Sequence, residues 1–230
     1  MTLDGAVNKT AIMLAVLVST AAISWNFSGP LIGLITFVGI FAAVVSSVIT
    51  FGFWIPFIGF IVNPRPYLAP RTWLIFAAGE GFLIGSLSLT FETMFPGIVL
   101  EAVSLTFCVA ATLLFLYKSG LVKPSQNFVL MLCSAIFGIM LFYVGAFIYT
   151  LVTGTSPEII SGSSNFSIGL SLFVVGIAAL SLVLDFDIIE QSAERGAPKY
   201  MEYFGAMALI TTLIWLYIEI LRLLAKFRSR

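Results

Sequence analysis

Leu31–Val62 reads LIGLITFVGIFAAVVSSVITFGFWIPFIGFIV, 32 residues without a charge. One crossing of a bilayer core takes about 20 residues of helix. The stretch therefore spans and overshoots, and Gly52 and Pro56 mark where a kink or tilt would absorb the excess. Outward from it, no residue between Lys9 and Arg65 is charged. Of 230 residues, 60% are hydrophobic and 10% charged, with a mean hydropathy of +1.11. A soluble domain carries about 25% charged residues. Inside lipid a backbone must satisfy its own polar groups, which leaves helices or a closed barrel. The alternating segments of about ten residues that build a barrel are missing here. The sequence thus predicts an all-α integral membrane protein.

Seven apolar segments can be drawn, at about 10–27, 31–62, 71–94, 97–117, 127–152, 166–190 and 201–224, forming a single domain over 1–230. Turn-forming residues separate them: Ser28-Gly29-Pro30, Asn63-Pro64-Arg65-Pro66, Pro96, and Lys118-Ser119-Gly120. Thr153–Asn165 is a polar loop rich in Gly and Ser, and Gln191–Lys199 a charged one. The first segment follows Lys9 as a signal peptide would. It is longer than a usual signal core and no clear cleavage site follows, so it reads as a span.

Positive charges orient such chains. Lys9, the pair Arg65 and Arg71, the pair Lys118 and Lys123, and the pair Arg195 and Lys199 fall at every second loop, and the alternate loops carry none. The N-terminus is expected to be cytoplasmic. Seven crossings then put the C-terminus outside, although Arg222, Lys226, Arg228 and Arg230 form the densest basic cluster in the chain. Either the earlier helices fix the topology or the last segment does not fully cross.

The formal net charge is zero, so no global charge argument points to nucleic acid. There is no histidine, which leaves proton chemistry to carboxylates. Cys108 and Cys133 lie in separate apolar segments and read as free thiols packed as small hydrophobes. No nucleophile–base pair or phosphate-binding loop appears, so no enzymatic activity and no cofactor are expected.

Acids within apolar segments are the candidates for function. A carboxylate at membrane depth costs about 2.5–3.5 kcal/mol on insertion scales and usually faces a bundle interior or a wet cavity. Glu219 shares a helix face with Thr212, Ala208, Gly205 and Met201, a mostly small stripe that suits close packing. Arg222, three residues on, is a potential local partner. Asp185 and Asp187 stand about 200° apart on a regular helix, so only one faces the interior. Asp187 shares the face of Gly176 and Gly169, which favours it by angle; Asp185 lies nearer Ser181 and Ala178. Glu80 lies near mid-depth in Gly79-Glu80-Gly81, and Gly81 and Gly85 form a GxxxG, a weak sign of close packing. Glu101 reads as interfacial. Two acids from different helices brought together in a dry site would share a proton. Deprotonated, they would offer hard oxygen ligands suited to Ca²⁺.

Met1–Thr10, Ala77–Ser86 (AAGEGFLIGS), Gly97–Thr106 (GIVLEAVSLT) and above all Gly196–Leu224 (GAPKYMEYFGAMALITTLIWLYIEILRLL) resemble the Bax inhibitor family, also called the transmembrane BAX inhibitor motif family, in its bacterial YccA-like branch. The resemblance implies seven transmembrane helices, six surrounding a central C-terminal helix. It also implies a pH-sensitive calcium leak channel in a bacterial inner membrane, with an acidic pair joining the last two helices. The family's sixth-helix pattern is an aromatic, Asp, three residues, then Ile. Asp185 keeps the spacing to Ile189, with Leu184 in the aromatic place; Asp187 follows Phe186 but meets Gln191 in place of Ile. Register favours Asp185, with Asp187 the alternate. The seventh-helix pattern, Tyr-Leu-Asp, becomes Tyr217-Ile218-Glu219, one methylene longer. The expected pH-sensing pair is Asp185 and Glu219, with transient calcium there and Glu80 as a secondary site. The YccA-like branch also implies an alternative, a regulatory protein that binds a membrane protease and transports nothing. A short exposed N-terminus and a basic tail would serve that role.

Overall fold

A computed structural model describes residues 1–26, 30–51 and 65–230, and among them it contains helices and turns and no strand. The helices are α1 (Leu3–Asn26), α2 (Pro30–Phe51), α3 (Ala69–Met94), α4 (Ile98–Lys118), α5 (Gln126–Thr153), α6 (Glu158–Ser161), α7 (Asn165–Glu194) and α8 (Tyr200–Arg228). A short 3₁₀ turn, Pro66–Leu68, leads into α3. All of these except α2 and the one-turn α6 are long and apolar enough to cross a membrane, six helices in all. The second expected span enters as α2, whose Thr36–Phe51 is a shorter apolar helix. Its continuation over 52–62 lies outside the described residues, with the kink expected at Gly52 and Pro56. So do Ser28-Gly29 and Asn63-Pro64 of the expected turns.

Most described boundaries fall within two residues of the hydropathy reading; the start of the first helix and the ends of the last two do not, the last helix running four residues past 224 to Arg228, and one further helical turn was not expected. The first helix begins at Leu3, seven residues before the apolar run, because Thr2 caps it: the Gly5 N–H donates to Thr2 Oγ1 at 3.0 Å, and Asp4 sits in the first turn. The sixth expected span runs on to Glu194, where Arg195 reaches back to Gln191 at 2.9 Å. Much of the predicted charged loop is therefore helix. In the Gly- and Ser-rich loop, Glu158–Ser161 forms a single helical turn.

The chain divides into two compact units, Met1–Thr93 with Ile188–Thr211, and Met94–Asp187 with Thr212–Arg230. In the first unit glycines set how closely α3 approaches its neighbours. A methyl added at Gly81 would overlap the Leu17 carbonyl and the Thr20 hydroxyl of α1, and one at Gly85 would overlap Ala21. On the other side of α3, Gly79 meets Gly39 and Ala43 of α2. Close approach lets hydroxyls bond across helices. Ser24 Oγ lies 2.8 Å from Ser86 Oγ, and Thr50 Oγ1 lies 2.9 Å from Thr72 Oγ1. The weak GxxxG signal in α3 is thus a packing contact here.

The start of α1 is tied to the start of α8. Glu202, 4% exposed, accepts the Thr2 N–H at 3.0 Å and the Thr2 hydroxyl at 3.2 Å through Oε1. The Met1 amino group donates to the Ala197 carbonyl. Lys9 stands over the Tyr203 ring at 5.0 Å, and Trp73 packs edge-on against the same ring. Thr2→Ala removes the cap, and replacing such a cap by alanine costs about 1 kcal/mol. Amide exchange should quicken at Gly5 and its neighbours with little change elsewhere. Unchanged protection at Gly5 would show that the cap does not hold this end.

In the second unit the basic tail is occupied. Arg228 donates to the Pro96 carbonyl at 2.6 Å and to Glu101 Oε1 at 2.7 Å, and Arg230 donates to Asn165. The tail therefore lies beside the starts of α4 and α7, next to loops that carry no Lys or Arg. At 29 residues α8 is about 43 Å long, enough to cross a core of about 30 Å. The basic cluster does not need a short last segment to explain it, because its charges are engaged within the protein. Glu101, with its side chain 52% exposed, pairs with Arg228 in the first turn of α4. Cys108 and Cys133 are free but exposed on helix surfaces, so they are not packed thiols.

Candidate functional site

The last helix is the most enclosed. Over its most apolar eighteen residues 56% are buried, against 39% or less in the other candidate spans. It meets α7 along a polar seam in the second unit. The buried stripe of α7 passes through Ser167, Ser171, Val174, Ala178, Ser181 and Leu182. These residues are spaced by three or four and lie on one face. Continuing the same spacing leads to Asp185. Gly169 and Gly176 lie off this stripe with open space where a side chain would start. The angular argument that placed Asp187 inward with those glycines is therefore corrected. It assumed that small residues mark the packed face, whereas on α7 serines and alanine do.

Two contacts give the register of the seam. Thr212 hydrogen-bonds the Asp185 carboxylate. Fourteen residues further along α8, Lys226 Nζ donates to Ser171 Oγ at 2.7 Å, fourteen residues back along α7. The helices run antiparallel, and this register puts Ala178, fully buried, opposite Glu219. A small residue there leaves room for a glutamate beside the partner helix.

Glu219 is 2% exposed and fully engaged. Arg222 Nη1 donates to its Oε1 at 3.0 Å and its Oε2 at 3.1 Å, the local partner that the spacing allows. The Tyr143 hydroxyl of α5 donates to Oε1 at 3.0 Å and accepts from Arg222 at 2.7 Å. The Arg222 guanidinium also lies over the Tyr143 ring, 5.4 Å from its centre. A carboxylate, a guanidinium and a phenol thus form a closed triangle with no net charge.

Asp185 is placed differently. Its Oδ2 is buried and, among the described residues, has no hydrogen-bond partner. Thr212 stands seven residues before Glu219, about 10.5 Å of helix rise. The structure therefore holds the two acids of the expected pair about two turns apart, each with its own partners, and does not bring them into hydrogen-bond contact. Asp187 accepts the Tyr117 hydroxyl of α4 at 3.2 Å, and Phe186 packs against the same tyrosine, 6.0 Å between ring centres. Glu80 lies in the first unit, half-buried on α3 between the glycines that meet α1 and α2.

Sequence reasoning missed Tyr143 and the inward role of Lys226. Nothing in α5 distinguishes Tyr143 from the exposed aromatics around it, and Lys226 looked like one more charge in a basic tail. The serines at 167, 171 and 181 were a legible signal for the seam. Among the described residues no three acidic or thiol side chains gather into a metal site.

No curated protein and no solved structure matches the chain. The model of the family described as Bax inhibitor 1 like matches residues 1–229. Together with the apolar helices and a last helix carrying a buried acid, that match, which covers nearly the whole sequence, decides the family. This multi-pass membrane protein belongs to the Bax inhibitor 1-like family.

Proposed function

We propose that this protein is a passive, pH-modulated cation leak of a bacterial inner membrane, with calcium as its natural cargo. It crosses seven times, with a cytoplasmic N-terminus, and the α7–α8 seam is its pathway. The observation that carries the reading is the buried Asp185 oxygen without a partner. A buried carboxylate oxygen left unsatisfied is costly, and a proton or a passing cation supplies what it lacks. Glu219, Tyr143 and Arg222 form a second station two turns along. Exchange of partners within that triangle is a discrete event that a change in protonation would bias. Two acids held apart do not make a tight calcium cage, which takes six to eight oxygens. The arrangement suits an ion in transit, and Glu80 is a secondary polar site.

The test is calcium flux into liposomes holding the purified protein, across the neutral pH range. Asp185→Asn should lower flux to that of empty liposomes while the protein keeps or gains thermal stability, since the amide carries no charge to keep buried. Glu219→Gln should flatten the pH response. Full wild-type flux in Asp185→Asn would remove Asp185 from the pathway, and no flux from the wild type at any pH would sink the leak itself. The protease-binding alternative drew on a short exposed N-terminus and a basic tail. Both are engaged, by Glu202 and Ala197 at one end and by Glu101, Pro96 and Asn165 at the other, which favours the leak.

A further inference from the structure

Lys226 is a buried cation that neither the Glu219 triangle nor Asp185 explains. It is 6% exposed and four residues from the last one, on a helix end where a lysine ordinarily extends its stem to the membrane surface. Its ammonium turns inward instead. It donates to Ser171 Oγ at 2.7 Å and to the Ser167 carbonyl at 3.3 Å, both neutral acceptors on the buried stripe of α7. The Ser167 hydroxyl is itself spent on the Ile159 carbonyl of α6 at 2.7 Å. No carboxylate stands within ion-pair distance of Lys226 among the described residues. Glu219, which lies within electrostatic reach, is already bonded to Arg222.

The charges on this face of α8 are ordered. Glu219, Arg222 and Lys226 follow one another at spacings of three and four, so they share one face. From the tail inward this face meets two cations, Lys226 and Arg222, before its first acid, and that acid is already paired with the nearer of them. An uncompensated ammonium in a low-dielectric seam repels any cation that would pass it. A buried charge of this kind is a functional hypothesis by default.

We propose that Lys226 is the cation-excluding residue of this protein: its inward ammonium closes the tail end of the α7–α8 seam to cations and sets how much of the leak is conducted. The inference rests on the seam being the leak pathway. Its distinctive consequence is a gain of flux on removing one charge.

The experiment compares calcium and potassium flux into liposomes for the wild type, Lys226→Met, Lys226→Arg and Ser171→Ala, with Asp185→Asn alongside. Lys226→Met should raise cation flux about ten-fold, whereas Lys226→Arg, which keeps the charge, and Ser171→Ala, which keeps the ammonium, should stay near wild type. If Lys226→Met is unfolded by gel filtration, Lys226→Gln replaces it. Folded neutral variants with flux at or below a leaking wild type would overturn the filter and leave the leak intact. An equal rise in Lys226→Arg or Ser171→Ala would also overturn it, because packing rather than charge would then hold the seam shut. A silent wild type beside a leaking Lys226→Met would sink the resting leak and still support the filter, because one charge would then be what holds the seam shut. Silence in every variant would overturn both readings.

Discussion

Glu219→Ala is expected to lower stability by about 3 kcal/mol, the low end of the range for breaking a buried ion pair by removing one partner. The loss comes from what remains. Arg222 keeps its charge beside a seam with no other carboxylate bonded to it, and the Tyr143 hydroxyl loses its acceptor. Ala178, opposite, is too small to fill the space. The low end applies because the Arg222 side chain is 31% exposed and can recover some solvation, whereas that of Glu219 is 3% exposed. Glu219→Gln, which keeps one acceptor for Arg222 and Tyr143 but not the countercharge, should lose about 2 kcal/mol, within the range for a hydrogen bond to a charged group. Replacing both partners, as in Glu219→Leu with Arg222→Leu, should recover most of the single loss, because no unpaired charge remains. Thermal unfolding in detergent reads all three. A melting curve for Glu219→Ala that overlays the wild type would show that the triangle does not stabilise the fold.

Gly81→Leu should be more damaging than its chemistry suggests. A residue of higher helix propensity replaces glycine in an apolar helix, and propensity alone would favour the change. The contact decides otherwise. The first atom of the new side chain would overlap the Leu17 carbonyl and the Thr20 hydroxyl of α1. Backbone cannot give way as a flexible side chain can, so α1 must move off α3. The Ser24–Ser86 hydrogen bond, one turn along the same interface, would go with it. Overpacking typically costs about 1–3 kcal/mol and more where backbone is displaced, so much of this variant should fail to purify as a single species. Gly138→Leu on α5 is the matched control. It has the same chemistry in a still more apolar helix, but nothing lies within 4 Å of the added carbon. It should purify and melt as the wild type does. Equal behaviour of the two variants would show that the α1–α3 contact is not what holds this unit together.

The contrast between the two glycines shows where sequence reading runs out. Both sit in apolar helices, and the GxxxG containing Gly81 was only a weak signal. The same limit appeared on α7, where glycine spacing pointed to the face of Asp187 and the buried stripe proved to be that of Ser171, Ala178 and Asp185. Small residues permit close approach but do not require it, and the neighbour that would use them is remote in the chain. The Arg222 partner of Glu219 was readable because it is three residues away on the same helix. Its Tyr143 partner is 76 residues away and was not readable at all.

The sequence by itself determined that this is a helical membrane protein, roughly where most of its long helices lie, and which acids are candidates. Those features follow from the cost of exposing backbone and charge to lipid, which acts residue by residue along the chain. Only the tertiary structure decided that Asp185 takes Thr212, that Glu219 is closed in a triangle two turns away, and that Lys226 turns inward rather than to the surface. Each depends on which helix stands opposite and at what register, and hydropathy, the same for every lipid-compatible arrangement of these helices, carries no information about either.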